Sequence, residues 1–533
     1  MSTSTRHRAP SRRRTWLPAA LVTIVTLLAL ALRLHDIGAK SLWVDESFTL
    51  WIASQPVEAL LSATLRTDQH PPLYYLLLHP FVTADSSEAA LRVFSASWGV
   101  ATVPVMYGIG RLVGAACRLN PVVLGLVVAL LQAVSPLHVG FGQQGRMYTM
   151  LPFFAAVAML CLLRMLRTGA TMETGDIVAW AGFIVALPLT MLSHNTAVLF
   201  GATVAAYVVV LAVLRRRAAA AAADRFARDP DGTIRLPAGL PGAATAPAVR
   251  HWVLALVVAM FLWLPWLPGF LLQSRRVDAD FWIPPPSWNK VLEHLRDLAS
   301  AWSPAPLLVP IVLVAGALVA YGAWTLRRRP EVLGLLLMML LFPLVGELLI
   351  SIRRPIFYSQ TLIWTSLPFT VLLAVGLLRL PWRRWAAVAV AAVLALNLFS
   401  LSSYYGAAGI EDWSGAAGFV AERAAPGDLV LFDAGWTQLA FRYYYDRTAG
   451  ASIDPRGLPV EPFERGALEP RMTVSDVPYL DALVAGRQRV WLVLSHDWYT
   501  DPDRIVTSRL GQSMDVTEQR DLAGMRVQEY RPR

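Results

Sequence analysis

Apolar runs of about 20 residues recur from Trp16 almost to Leu401, more such stretches than the interior of a soluble fold can hide. A helix of that length crosses a hydrocarbon core of about 30 Å, so lipid is the solvent for which most of this chain is written. Composition agrees: 56% hydrophobic and 16% charged residues among 533 give a mean hydropathy of +0.48, outside the range of an ordinary soluble globule. From Tyr404 to Arg533 the pattern stops; charged and turn residues become frequent and no stretch is long enough to span.

The fold class expected is an α-helical polytopic membrane protein followed by a small α/β unit. Spans are expected at Trp16 to Leu34, Val93 to Leu112, Pro121 to Val139, Met147 to Leu166, Ile177 to Leu192, Ala197 to Leu214, Trp252 to Leu272, Leu307 to Leu326, Val332 to Ile350, Thr361 to Leu378 and Trp385 to Leu401, about eleven in all. The first follows Arg6, Arg8, Arg12, Arg13 and Arg14, lacks a small-residue cleavage site after it and exceeds the apolar core of a secretory signal, so it reads as a retained span. Three regions result: a basic cytoplasmic tail 1–15, a membrane domain 16–403 and an extracytoplasmic domain 404–533.

A net charge of +10 and a pI of 9.8 would suggest nucleic acid in a soluble protein, but here the arginines sit at the ends of spans. Alternate loops hold Arg111 with Arg118, Arg164 with Arg167, Arg215 to Arg217, Arg327 to Arg329, and Arg383 with Arg384. The positive-inside rule makes these loops cytoplasmic, which excludes nucleic acid as the expected partner and places the chain in an inner (plasma) membrane with its C-terminal part outside. Cys161 falls in a span and Cys117 in a cytoplasmic loop, so no disulfide and no cysteine metal cluster is expected.

Two short helices are expected in the first external loop. Leu73 to Val82, opened by Pro71 and Pro72, is too short to span and reads as interfacial or re-entrant. From Pro56, the residues Val57, Leu60, Leu61 and Leu65 share one helical face, which suits the membrane surface. Between Arg215 and Arg250, an alanine run and the turn Asp229-Pro230-Asp231-Gly232 suggest a connector. The external segment Gln273 to Trp302 carries Pro284-Pro285-Pro286 and a helix from Trp288. In the C-terminal part, β-like runs at Asp428 to Phe432 and Val490 to Leu494 alternate with helical stretches such as Gly415 to Arg423.

The strongest chemical signal is Leu42-Trp43-Val44-Asp45-Glu46-Ser47-Phe48, two adjacent carboxylates just beyond the first span among aromatics suited to the interface. Capping of the following helix by Asp45 or Glu46 is the plainer reading. The loop continues into Thr67-Asp68-Gln69-His70-Pro71-Pro72-Leu73-Tyr74-Tyr75, which brings Asp68, His70 and Tyr74 to the same surface. Together with GQQGRMY (142–148) and EDWSGAA (411–417), these segments resemble bacterial polyprenyl-phosphate-dependent glycosyltransferases of the GT-C type, whose relatives include protein O-mannosyltransferases and lipid A aminoarabinose transferases. The resemblance covers the first four spans well, the middle only in hydropathy, and the C-terminal part through EDWSGAA and the Asp428 strand.

In that family the first acid of the external Asp-Glu pair is the usual candidate for activating the acceptor, which the resemblance carries to Asp45, with Glu46 as its neighbour and orienter. The chemistry asks for such a group. An acceptor hydroxyl is a poor nucleophile until a carboxylate within reach takes its proton. A lipid phosphate leaves without a proton, but its growing charge calls for fixed cations or hydrogen-bond donors. Arg146 and Tyr148 fit that demand and match the family's donor-phosphate motif, although an arginine-tyrosine pair at a membrane boundary is also an ordinary anchor.

His70 could donate to phosphate, hold a metal or only cap the next helix. His194, beside Asn195 at a span end, is similar, and Glu347 near the end of the ninth span is an acid near lipid depth. Two departures matter. Gln144 stands where relatives commonly carry Glu before the Ala-Arg-Met-Tyr segment, which removes a hard oxygen ligand and leaves a divalent cation without its usual carboxylate. Gln360 stands where many relatives carry an arginine; Arg353 and Arg354 could serve the phosphate instead, or contact headgroups.

The leading expectation is a glycosyltransferase that moves a sugar from a polyprenyl-phosphate donor to an acceptor hydroxyl, inverting the anomeric centre, with a glycan, glycolipid or protein as acceptor. A secondary transporter or lipid flippase is the alternative, against which stand the missing internal repeat and the gathering of polar residues in external loops. A catalytically inactive relative that binds lipid-linked sugar is a third, kept open by Gln144 and Gln360.

Overall fold

The computed structural model describes residues 13–167, 174–227, 249–279, 283–448, 450–461 and 470–533. The turn at 229–232 expected in the connector lies outside the described residues. Each stretch expected to span is helical over most of its length. Among the described residues eight helices are long and apolar enough to cross a membrane, from Trp16–Leu34 to Arg383–Gly406. The count of eleven is therefore not reached on length. Met150–Met165 and Ile363–Leu378 are apolar but shorter, and the third stretch is two helices, Pro121–Ala133 and Pro136–Gly142, bent by 52°.

The bend has a local cause. Pro136 has no N–H to donate and disfavours helical backbone at the residue before it; Ser135 is extended (ψ 118°) and a new helix starts after it. The bend brings residues 143–148 to the end of the bundle where the first loop lies. Elsewhere the helices sort their faces as lipid requires. In Val249–Trp263, Trp252, Ala255, Ala259 and Trp263 are buried, whereas Val253, Leu254, Val257 and Phe261 face outward. Gly322 and Gly376 let the helices Leu308–Thr325 and Ser366–Leu378 touch backbone to backbone, since a Cβ on either would collide with a carbonyl of the other helix.

The first loop folds into Val44–Ala53, Val57–Thr67 and Leu73–Leu78, the last extended by a 3₁₀ turn to Phe81. Leu60 packs inward while Val57 and Leu61 stay exposed. Over this loop lies a five-stranded sheet of order β2-β1-β3-β5-β4: β1 Leu429–Phe432, β2 Asp454–Gly457, β3 Val490–Leu494, β4 Met514–Leu522 and β5 Met525–Pro532. β1 runs parallel to β2 and β3, and β5 is antiparallel to β3 and β4. β1 is buried throughout. Val430 and Phe432 meet a cluster with the helices Trp413–Ala421 and Gln438–Tyr445, and Leu429 and Leu431 meet one with Val477–Val484 and Ile505–Leu510. A strand covered on both faces reads as the continuous apolar run found in the sequence.

Polar contacts tie the first loop to the helix Gln438–Tyr445 beside the sheet and to the end of the helix Arg383–Gly406. The Leu42 N–H donates to Tyr444 Oη at 2.7 Å, and Tyr444 Oη in turn donates to Glu88 at 2.8 Å. Lys40 Nζ donates to the Tyr404 carbonyl at 2.9 Å.

Candidate active site

Asp45 and Glu46 both sit in the first turn of Val44–Ala53, where carboxylates suit the positive end of a helix. Neighbouring helical residues point about 100° apart, so the two side chains separate. Glu46 turns inward and is fully buried. Its Oε1 and Oε2 take Arg92 Nε and Nη2 at 2.8 and 2.7 Å, and Oε1 also accepts the Gly145 N–H at 2.7 Å. Arg92 spends its other donors on the carbonyls of Ile37, Lys40 and Ser41. Glu46 thus joins the first loop to the turn that carries Arg146, and it does not line the cavity described next. Expected as the neighbour and orienter of Asp45, Glu46 lies outside the cavity lining and acts on the backbone of the adjoining turn.

Asp45 turns the other way, into a cavity of about 490 Å³ between the first loop, the span ends and the sheet. Its side chain is 39% exposed and lies 3.7 Å from Arg146 Nη2. Arg146 is buried: Nη1 donates to the Asp45 carbonyl (3.3 Å), Thr49 Oγ1 (3.1 Å) and Tyr75 Oη (3.3 Å). Its Nε is buried without a hydrogen-bond partner among the described residues.

Behind Arg146 stands a polar chain. His70 Nδ1 lies 2.7 Å from Asp68 Oδ1, while Tyr75 Oη donates to Asp68 Oδ2. Asp68 accepts only, so the proton between them is carried by His70 Nδ1, which also lies 3.3 Å from Arg146 Nη2. Burial pushes the Asp68 carboxyl up, but the His70 and Arg146 charges and the bonds from His70 and Tyr75 together hold it well below the usual carboxylate range. His194 packs edge-on to His70, with ring centres 4.7 Å apart; burial, then the charges of His70 and Arg146, keep it well below the ordinary imidazole value, so it stays neutral. Tyr148 lines the cavity as well.

The cavity therefore collects Asp45, Asp68, His70, Arg146, Tyr148, His194 and Arg354 among the residues singled out in the sequence. Tyr74 does not reach it; it is buried with Oη 2.6 Å from Ser95 Oγ. Gln144 and Arg353 stay outside the lining as well, Arg353 exposed. Glu347 is one step removed, accepting at 2.9 Å from Thr361 Oγ1, which does line the cavity beside Gln360.

Sequence reasoning did not assign Glu411, Trp436, His496 and Trp498, which form the wall contributed by the C-terminal part. Glu411 was within reach, because it opens the EDWSGAA segment. It accepts the N–H of Val44, the first residue of Asp45's helix, at 2.9 Å and that of Trp413 Nε1 at 2.6 Å. Among the described residues no group of three or more His, Cys, Asp or Glu side chains is arranged to hold a metal ion.

No family model and no curated protein sequence matches this chain. Solved structures do. ArnT from Cupriavidus metallidurans in the apo state superposes with a TM-score of 0.57 at 16% identity, covering 96% of this chain and 98% of its own. The same protein bound to undecaprenyl phosphate gives 0.50 at 16% identity, covering 98% of both chains. The oligosaccharyltransferase AglB from Archaeoglobus fulgidus, in complex with an inhibitory peptide and a dolichol-phosphate, gives 0.52 at 10% identity, covering 97% of this chain and 74% of its own. The superpositions run over almost the whole chain, so this protein has the fold of ArnT and AglB.

Proposed function

We propose that this protein is a membrane glycosyltransferase that moves a sugar from a polyprenyl-phosphate donor to an acceptor hydroxyl on the extracytoplasmic face, with inversion. The observation that carries the reading is the pairing of a half-exposed carboxylate, Asp45, with a buried guanidinium, Arg146, 3.7 Å away in one cavity. A base for the acceptor and a cation for the leaving phosphate must be held in one cavity, facing the anomeric carbon from opposite sides, because the bond made and the bond broken share that carbon. Asp45 takes the acceptor proton as the oxygen attacks; the carbon–oxygen bond to phosphate breaks, and polyprenyl phosphate departs with the electron pair. Arg146 and Tyr148 face the phosphate, with His70 beside them and Arg354 at the rim. The fold neighbours were solved with undecaprenyl phosphate and with dolichol-phosphate, which supports a lipid phosphate as donor carrier here. The tail 1–15 is assigned to the cytoplasm and residues 404–533 to the outside.

The test is transfer of radiolabelled sugar from a panel of polyprenyl-phosphate sugars to a membrane extract. Asp45→Asn should lower turnover by about 10²- to 10⁴-fold while lipid binding persists. Wild-type protein that transfers from no donor yet binds lipid would favour the inactive relative, and Asp45→Asn protein that still moves lipid across a bilayer would favour the flippase.

A further inference from the structure

The cavity has two chemically different ends. At one, Leu199, Val277, Ile283, Ile350 and Ile356 offer aliphatic surface of the kind a polyprenyl chain needs. The other is made by the sheet. β1 and β3 are parallel, so their carboxyl ends emerge at one edge, the place where open α/β sheets bind ligands. The turn after β1 supplies Trp436; that after β3 supplies His496, Trp498 and Tyr499, and all four line the cavity.

This edge is held in shape. Asp433, fully buried at the end of β1, accepts the Ser495 N–H at 3.0 Å and so fixes the β3 turn. His496 adopts left-handed backbone (φ 65°), a conformation that a residue other than glycine takes only where its surroundings enforce it. Its Nδ1 lies 3.0 Å from Ser495 Oγ and its Nε2 3.5 Å from Glu411 Oε1, while its ring stands 6.5 Å from that of Trp436. Trp498 leaves 61% of its surface uncovered on the rim.

We infer that this end of the cavity is an acceptor subsite for a sugar ring, with the exposed Trp498 giving a flat apolar face, the largely buried Trp436 lining the wall beside His496, and His496 with the one exposed edge of Glu411 meeting the hydroxyls. A pyranose or furanose presents a patch of C–H groups on its face and a rim of groups that both donate and accept. Indole rings match the first, and a carboxylate with an imidazole matches the second. The subsite's role as acceptor rests on the transfer reading above; its binding of a sugar does not.

Two measurements separate the ideas. Full-length protein in nanodiscs is mixed with methyl glycosides of glucose, mannose, galactose and arabinose, and saturation transfer to the ligand is read by NMR, which needs no turnover. Wild type and Asp45→Asn should both saturate at least one glycoside, with the signal reduced about tenfold in Trp498→Ala and in Trp436→Ala. Trp498 is exposed, so its variant keeps the fold. Affinity for a polyprenyl-phosphate sugar is then measured for both variants and should stay within about twofold of wild type. No saturation of any glycoside, or an undiminished signal in both variants, overturns the subsite. A matching loss of donor affinity would give the rings to the donor's sugar, and glycoside-indifferent binding of a peptide panel that needs Trp498 would point to a protein acceptor; either outcome overturns the proposal too.

Discussion

Asp45 and Glu46 are adjacent in the chain, and each faces an arginine, but the two pairs differ in what they leave unused. The Glu46–Arg92 pair is closed: the side chains are 0% and 5% exposed, two bonds of 2.7 and 2.8 Å join them, and backbone groups occupy the rest of both. The Asp45–Arg146 pair is open, 3.7 Å apart, with the carboxylate 39% exposed and one guanidinium nitrogen unpaired among the described residues. A closed pair has no capacity left for a third party and can only hold backbone in place. An open pair keeps lone pairs and donors for whatever enters the cavity, which is what catalysis by a base and a cation demands.

The contrast can be broken in three places. Glu46→Gln should have the largest effect on stability, about 3 to 5 kcal/mol, because it strands a buried Arg92; thermal unfolding in detergent measures this, and a native melting point would show that Glu46 is not the closed partner described. Arg146→Lys should leave the melting point close to wild type and weaken binding of a polyprenyl-phosphate sugar by about 10- to 100-fold, since lysine keeps the charge but loses the planar fork of donors. Equal donor affinity in the two proteins would remove Arg146 from the phosphate site.

Asp68→Asn should cost about 1 to 2 kcal/mol at pH 7 through the lost charge-assisted bonds of His70 and Tyr75. Its pH course has a definite sign. The folded carboxyl titrates below its free value of about 3.9, so its contribution is whole above that value and drains away as pH falls beneath it. The gap between wild type and Asp68→Asn should therefore narrow below about pH 4; a gap that widens there contradicts the Asp68 assignment.

The same contrast explains what could be read from sequence. Asp45, Arg146 and Tyr148 were legible because they cluster at span ends in segments dense with polar and aromatic residues. That Glu46 stays out of the cavity was not legible, because adjacency along a helix means divergence in space, and its partner lies 46 residues later on a helix with its own hydropathic role. The bend in the third span carried a visible signal in Ser135-Pro136, but unbroken hydropathy across it masked the change of direction. Trp436 and His496 had no local mark at all; only the parallel pairing of β1 with β3 brings them to one edge. Glu347, read as an acid near lipid depth, is buried and reaches the cavity only through Thr361, which no spacing in the sequence announces.

The bond from the Val44 N–H to Glu411 bears on how the protein can be dissected. A chain cut after Gly406 would keep Arg146, His70, Asp68 and Asp45 but lose the acid seated on the first turn of Asp45's helix. Loss of activity on such truncation would then report a base knocked out of alignment as well as a missing wall, and only restoring a carboxylate at that one spot would tell the two apart.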